Sequence, residues 1–168
     1  EHKARGRCAH LLQRHRSLAP EVIVKYVAPL SPHSLIQERY PGDEYKVLVC
    51  CQLLNQTSRK QLDNIVDAFF DKWPDARTLS TASASELSQM IRPLGFYNRR
   101  SRALVRFAKE YLAGDWVTAA DLYGCGKYAN DAWMIFIKGK AAEVEPEDHA
   151  LNHYHGWYMR EVHLKNAA

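Results

Sequence analysis

The sequence predicts an all-α fold, and three observations carry that prediction. Apolar residues return at three- and four-residue steps through most of the chain. Ser, Thr or Asp repeatedly opens these segments, and Pro or Gly closes them. The only alternating stretch is the brief Val22-Ile23-Val24, with no internal repeat or low-complexity tract.

The elements follow in order. Residues 1–25 form a basic leader and residues 26–168 a single domain. Ser31 is placed to cap a short helix with Pro32 at its first position, where the missing N–H is harmless, ahead of Leu35, Ile36 and Gln37. After Pro41-Gly42, Asp43 caps a helix in which Tyr45, Val47, Leu48, Val49, Cys50, Cys51, Leu53 and Leu54 leave almost no polar face, the pattern of a helix buried on all sides. Thr57-Ser58 opens an amphipathic helix carrying Leu62, Ile65, Val66, Phe69, Phe70 and Trp73, which Pro74 ends. Ser83 and Glu86 have the spacing of a capping box for a short helix stopped at Pro93-Leu94-Gly95. The next helix spans about Arg99 to Leu112, with Gly114 as its stop. A glycine hairpin at Gly124 and Gly126 leads into a helix with Ala132, Trp133, Ile135 and Phe136. A last helix starts near Glu147 and carries Leu151, Tyr154, Trp157 and Tyr158.

Composition narrows the function classes. With 168 residues, 46% hydrophobic and 25% charged, the chain is long enough to bury a core and folds in water. No apolar run approaches the ~18 residues of a membrane span, and the leader lacks the apolar centre of a signal peptide, so an intracellular protein is expected. Glu rather than Met at position 1 suggests a segment of a longer chain. Cys8, Cys50, Cys51 and Cys125 form no C-x-x-C pair, which argues against a disulfide framework, a zinc ribbon or a four-cysteine iron–sulfur loop. Lys3, Arg5, Arg7, Arg14 and Arg16, against Glu1 alone, account for the whole net charge of +4, so any nucleic-acid contact within the domain must rest on local clusters and backbone donors.

Two motifs carry chemistry. Leu122-Tyr123-Gly124-Cys125-Gly126-Lys127-Tyr128-Ala129 reads as a helix, a glycine turn and a second helix, whose N-terminal N–H groups and positive dipole end suit a phosphate, with Lys127 adding charge. The same pattern also fits a plain helix corner. Val144-Glu145-Pro146-Glu147-Asp148-His149 places a carboxylate at a loop-to-helix junction, where Asp148 is either a helix cap or a fixed charge able to stabilise a developing oxocarbenium-like sugar or activate water.

Taken together these stretches resemble the helix-hairpin-helix DNA glycosylase superfamily, and within it the thymine and uracil mismatch glycosylases that in animals are fused to a methyl-CpG-binding domain. The matching residues are Ser31-Pro32 with Leu35-Ile36-Gln37-Glu38, Leu54-Asn55-Gln56-Thr57-Ser58, Pro93-Leu94-Gly95, Gly124-Cys125-Gly126-Lys127-Tyr128 with Asn130-Asp131, and Pro146-Glu147-Asp148-His149 with Leu151-Asn152 and Tyr154-His155. They stand in family order from about Tyr26 to Trp157 and leave the basic leader uncovered.

The resemblance implies two helical lobes with the active-site cleft between them and no iron–sulfur cluster. It makes Asp148 the catalytic carboxylate and gives the competing Asp131 a structural role. Gln37 and Tyr128 line the pocket for the flipped base, since an amide offers the donor and acceptor pair that thymine or uracil presents. Tyr128 stands where lyase-active members carry a lysine, and a phenol cannot form a Schiff base, so a monofunctional enzyme is expected. Gln56 takes the place of the side chain that fills the hole left by the extruded base. Phe96 takes that of an apolar wedge, the kind of side chain that kinks DNA when inserted between bases. Gly124, Gly126, Lys127 and His149 are further DNA contacts, while Ala150 replaces a lysine common in relatives and removes one phosphate contact.

The run Arg99, Arg100, Arg102 and Arg106 reads as a solvated face that could supply phosphate contacts. His149 and His153, four apart, have a zinc-compatible spacing without an evident third ligand, so no metal and no cofactor is expected. The expected partner is double-stranded DNA with a mismatched or damaged pyrimidine, met in the nucleus by a monomer. Two alternatives stay open: a glycosylase for another damaged pyrimidine, and a helix-hairpin-helix module that binds DNA without catalysis.

Overall fold

A computed structural model describes residues 25–166, and among them every regular element is helical. The basic leader, Cys8 and Val22-Ile23-Val24 lie outside the described residues. No helix among the described residues is long and apolar enough to cross a membrane.

The centre is α1, Glu44–Leu54, which is buried along most of its length and begins where the Asp43 carboxylate accepts the Lys46 N–H. Helix α6, Tyr97–Ala113, and α7, Lys127–Phe136, both pack against α1. The Glu44 side chain ties the three together, accepting the Tyr111 hydroxyl at 3.0 Å and the Trp133 indole N–H at 2.8 Å. Four short helices complete one lobe: α2, Arg59–Asp63; α3, Val66–Lys72; α4, Ala76–Ser80; and α5, Ala84–Ile91. Helices α4 and α5 lie along α6. The other lobe combines residues 25–40, α7 and α8, His149–Tyr158, and its stitching includes the Tyr154 hydroxyl on the Pro29 carbonyl at 2.7 Å. A π-helical stretch, Met159–His163, continues α8. One hydrophobic cluster, with Leu48, Leu53, Phe69, Phe107, Ile135 and Tyr154 at its interior, runs through both lobes.

Four local expectations are corrected. Ser31 does not cap a helix at Pro32: the turn is a 3₁₀ segment, Ile36–Arg39, and the Ser31 N–H and hydroxyl both reach forward to Glu38. The amphipathic run after Ser58 is two helices, because Ile65 N–H bonds the Leu62 carbonyl in an i+3 turn; the bend keeps Leu62, Ile65, Val66 and Phe69 all buried. Helix α4, capped by the Asp75 carboxylate on the Thr78 N–H, was not anticipated, being a single turn after Pro74. Ser83 precedes α5 without any side-chain cap, so its spacing to Glu86 forms no capping box; Glu86 pairs with Lys72 instead. The stop at Gly114 is as expected, with φ of +76°.

Candidate functional site

The turn at 31–40 presents Gln37 because one carboxylate organises it. Glu38 accepts the Ser31 N–H, the Ser31 hydroxyl and the Leu35 N–H at 2.6, 2.9 and 2.7 Å, which holds the segment closed and turns the next-door Gln37 inward. Gln37 is almost completely buried, and its Nε2 donates to the Tyr128 hydroxyl at 2.8 Å and to Cys51 Sγ at 3.4 Å. A buried amide left without partners would cost about 1–3 kcal/mol, so these two contacts fix its orientation. Tyr128 enters from the first turn of α7 and Cys51 from α1, so the two pocket residues expected from the sequence do meet.

Cys51 was missed as a pocket residue. In sequence it is one apolar-sized side chain inside an apolar helix; the only signal was the interruption Cys50-Cys51-Gln52 in a run otherwise aliphatic. Burial pushes its thiol up to about 12, so it is a neutral hydrogen-bonding group at physiological pH and no nucleophile. Burial likewise raises Tyr128 far above the ordinary phenol range, reinforced by neighbouring Cys51 and by the negative charge of Asp148.

Asp148, near enough for its charge to act on Cys51 and Tyr128, is the N-cap of α8, its Oδ1 accepting the Leu151 N–H at 2.9 Å. Cap and fixed charge are therefore the same arrangement: the helix holds one oxygen, and the carboxylate stays exposed to solvent. The approach to it is braced by Lys127, whose Nζ donates to Asp131 at 2.5 Å and to the Glu145 carbonyl at 2.7 Å. Asp131 is buried in that pair, and two donors of Lys127, expected for phosphate, are engaged within the chain.

The hairpin before α7 divides its glycines by role. Gly124 has φ of +80°, and a Cβ there would stand 2.7 Å from Oε1 of Gln52, which is buried beneath it. Gly126 has an ordinary φ of −91° and is the N-cap of α7; a Cβ there would meet nothing within 4 Å. No side chain caps α7, leaving its first-turn N–H groups facing out under the positive end of the helix dipole.

Gln56 and Phe96 lie on two neighbouring loops, after α1 and before α6, and both adopt left-handed backbone with φ of +55° and +47°. Both side chains are exposed, Phe96 to 65%. They rim a cleft of about 340 Å³ whose other walls include Arg99, Arg100, Tyr123 and Gly124. Arg100 does not belong to a solvated basic face, as its run suggested; it turns inward onto backbone carbonyls, which desolvation accompanies by lowering its pKa. Arg106 pairs with Glu110 and covers the Tyr123 ring at 4.0 Å, while Glu110 accepts the Tyr123 N–H at 2.7 Å, so α6 also holds the hairpin.

His149 is exposed at the start of α8, its ring 4.4 Å from that of His153, which in turn meets His33 edge-on at 5.4 Å. No group of three or more His, Cys, Asp or Glu among the described residues is arranged to hold a metal ion. His155 donates from Nε2 to the Ala141 carbonyl at 2.9 Å, a packing role.

Known proteins resemble this chain in sequence and fold. The chain is 40% identical over 136 residues to a methyl-CpG-binding domain protein 4-like protein of Arabidopsis thaliana, covering 80% of this chain and 30% of that one. It is 30% identical over 109 residues to a thymine/uracil-DNA glycosylase of Pyrobaculum aerophilum, covering 61% of this chain and 47% of the relative. The chain thus spans less than half the length of these relatives. Among solved structures, a thermostable thymine-DNA glycosylase superposes with a TM-score of 0.57 at 29% identity, covering 61% of this chain and 51% of that one. Residues 49–162, from inside α1 into the π-helical stretch, match the model of one family, and the chain belongs to it: the HhH-GPD superfamily of base excision DNA repair proteins.

Proposed function

We propose that the chain is a monofunctional DNA glycosylase that flips thymine or uracil opposite guanine out of the duplex and hydrolyses its N-glycosidic bond. The observation that carries the reading is the buried Gln37–Tyr128–Cys51 group set beside the exposed carboxylate of Asp148. Both N–H groups of Gln37 are directed at Tyr128 and Cys51, which leaves Oε1 to accept a hydrogen bond. Thymine and uracil offer a ring N3–H to such an acceptor, whereas cytosine presents a lone pair there and is rejected.

With the base in that pocket, the bond from the sugar to the base nitrogen breaks with its electron pair leaving on the base. Asp148 stabilises the positive sugar and takes a proton from the water that adds to it. Tyr128, a neutral phenol, offers no amine for attack on the sugar, and Lys127 is held by Asp131 and Glu145. The product is an intact abasic strand. Contact with the flanking phosphates falls to the open N–H groups behind Gly126, with Gln56 and Phe96 entering the duplex and His149 beside them. Nuclear action as a monomer on double-stranded DNA is part of the same reading, and membership of a DNA repair family supports DNA as the partner.

The test is base release from duplexes carrying T opposite G, U opposite G, oxidised or halogenated pyrimidines, and normal pairs, with alkali added to reveal abasic sites. Release from T and U mismatches, with strand cleavage only after alkali and no adduct trapped by borohydride, is the expected result. Preference for an oxidised or halogenated pyrimidine would reassign the substrate, a trapped adduct would overturn the monofunctional mechanism, and binding without release would leave a recognition module.

A further inference from the structure

Arg100 reaches two loops at once. Its Nη1 donates to the Gln52 and Leu53 carbonyls, each at 3.1 Å, and its Nη2 to the Asn55 carbonyl at 2.6 Å and the Thr57 hydroxyl at 2.8 Å. Its Nε donates to the Gly95 carbonyl at 3.0 Å. The first four acceptors belong to the end of α1 and the loop carrying Gln56, and the fifth immediately precedes Phe96. The planar guanidinium thereby satisfies carbonyls that α1 leaves orphaned and crosses to the neighbouring loop with the same side chain. A lysine, with one ammonium, could not reach both sets.

The residues it brackets share an uncommon state. Gln56 and Phe96 are non-glycine residues in the left-handed region, a strained state that persists only where surrounding contacts over-determine it. Both present exposed side chains to the rim of one cleft in which Arg100 forms a wall. A second tie, Gln61 Nε2 on the Pro93 carbonyl at 3.2 Å, joins the same two segments.

We propose that Arg100 is a positioning residue that locks the Gln56 and Phe96 loops into one rigid unit, so that plug and wedge enter the duplex together. The inference rests on the glycosylase reading for its setting, but its test does not depend on catalysis. A mismatched duplex with 2-aminopurine beside the target reports unstacking by fluorescence, and anisotropy reports binding to the same duplex. Arg100→Lys keeps the charge and is expected to bind while losing most of the fluorescence rise. In excision, the same variant should lose about 100-fold on uracil opposite guanine, as expected for a misplaced group. It should lose far less on uracil opposite an abasic site, where no partner base needs replacing.

Thr57→Val removes the hydroxyl that accepts from Arg100 and itself donates to the Asn55 or Leu94 carbonyl, and should show the same pattern at about 5-fold; it keeps the test open should the arginine variant fold poorly. In a double-mutant cycle, Arg100→Lys should add little once Phe96 is alanine. An ordinary cap on α1 predicts otherwise: equal losses on both substrates, additive with Phe96→Ala, and unchanged 2-aminopurine response. That outcome overturns the proposal, and absence of base release by the unaltered protein would overturn the glycosylase reading while the fluorescence still decides this one.

Discussion

The Gln37–Tyr128–Cys51 group and the cleft rim of Gln56 and Phe96 are held in opposite ways. Around Gln37, the amide and the Cys51 thiol are withdrawn from water, Tyr128 is half-buried over them, and the three are oriented by one another's side chains. On the rim, Gln56 and Phe96 leave their side chains in solvent while their backbones sit in the left-handed region, each following a carbonyl that accepts from Arg100. A buried network is unforgiving, because removing one member strands the others without partners. A backbone-held rim should tolerate side-chain changes in the folded protein and reveal them only when DNA binds. Asp148 stands between the two regimes: fixed by a helix end, yet open to solvent.

The sharpest probe of that boundary is Asp148. Replacement by Asn keeps an oxygen for the Leu151 N–H, so urea unfolding should stay within about 0.5 kcal/mol, while single-turnover base release falls on the order of 1000-fold and mismatch binding survives. Asp148→Ala should lose the same activity and about 1 kcal/mol of stability besides, the value of the cap. Undiminished release by the Asn variant would remove Asp148 from the mechanism.

Tyr128→Phe tests the pocket. It strands a buried Gln37 N–H, and should lower unfolding free energy by about 1–3 kcal/mol and narrow the preference for thymine over cytosine. A change smaller than about 0.5 kcal/mol would mean the network is not the dry, closed one described.

High pH acts on the same buried groups. Burial holds the Cys51 and Cys125 thiols at about 12, above their unfolded value, so both states keep these thiols protonated below pH ~8.5 and their contribution to stability is constant there. Above that pH the unfolded thiols ionise and the folded ones do not; each group then removes about 1.4 kcal/mol per pH unit until its folded pKa is reached. Urea midpoints at pH 8 and 10 should show the fall, reduced in Cys51→Val; a flat profile would contradict the burial.

The hairpin glycines divide the rim. Gly124→Ala places a Cβ in left-handed backbone against Gln52 and should cost about 1–2 kcal/mol in unfolding. Gly126→Ala meets open space, so the folded protein should be almost unaffected while duplex affinity drops if a phosphate approaches there. Smallest in stability is Phe96→Ala, within about 0.5 kcal/mol by unfolding, with its loss visible only on paired duplexes. A large unfolding effect would make Phe96 a packing residue.

Most helices were legible in the sequence because their signals are local. Asp43, Gly114 and Asp148 mark element ends with chemistry that acts within four residues, and the structure keeps all three. Ser31 and Ser83 carry similar signals and failed, since their expected partner groups found other bonds: Glu38 draws Ser31 forward, and Glu86 is taken by Lys72. The order of the glycosylase motifs was legible for the same reason, each being a short stretch. Which residues those stretches meet was not.

By itself the sequence determined the all-α class, the family, the carboxylate at a helix start and the glycine turn ahead of α7. Only the tertiary structure decided that Gln37 meets Tyr128 across 91 positions, that Cys51 rather than Cys50 joins them, and that one arginine of four turns inward to carbonyls up to 48 residues away. Caps and periodicities act between neighbours along the chain, whereas burial and the pairing of orphaned carbonyls are settled between segments that meet only when the core closes.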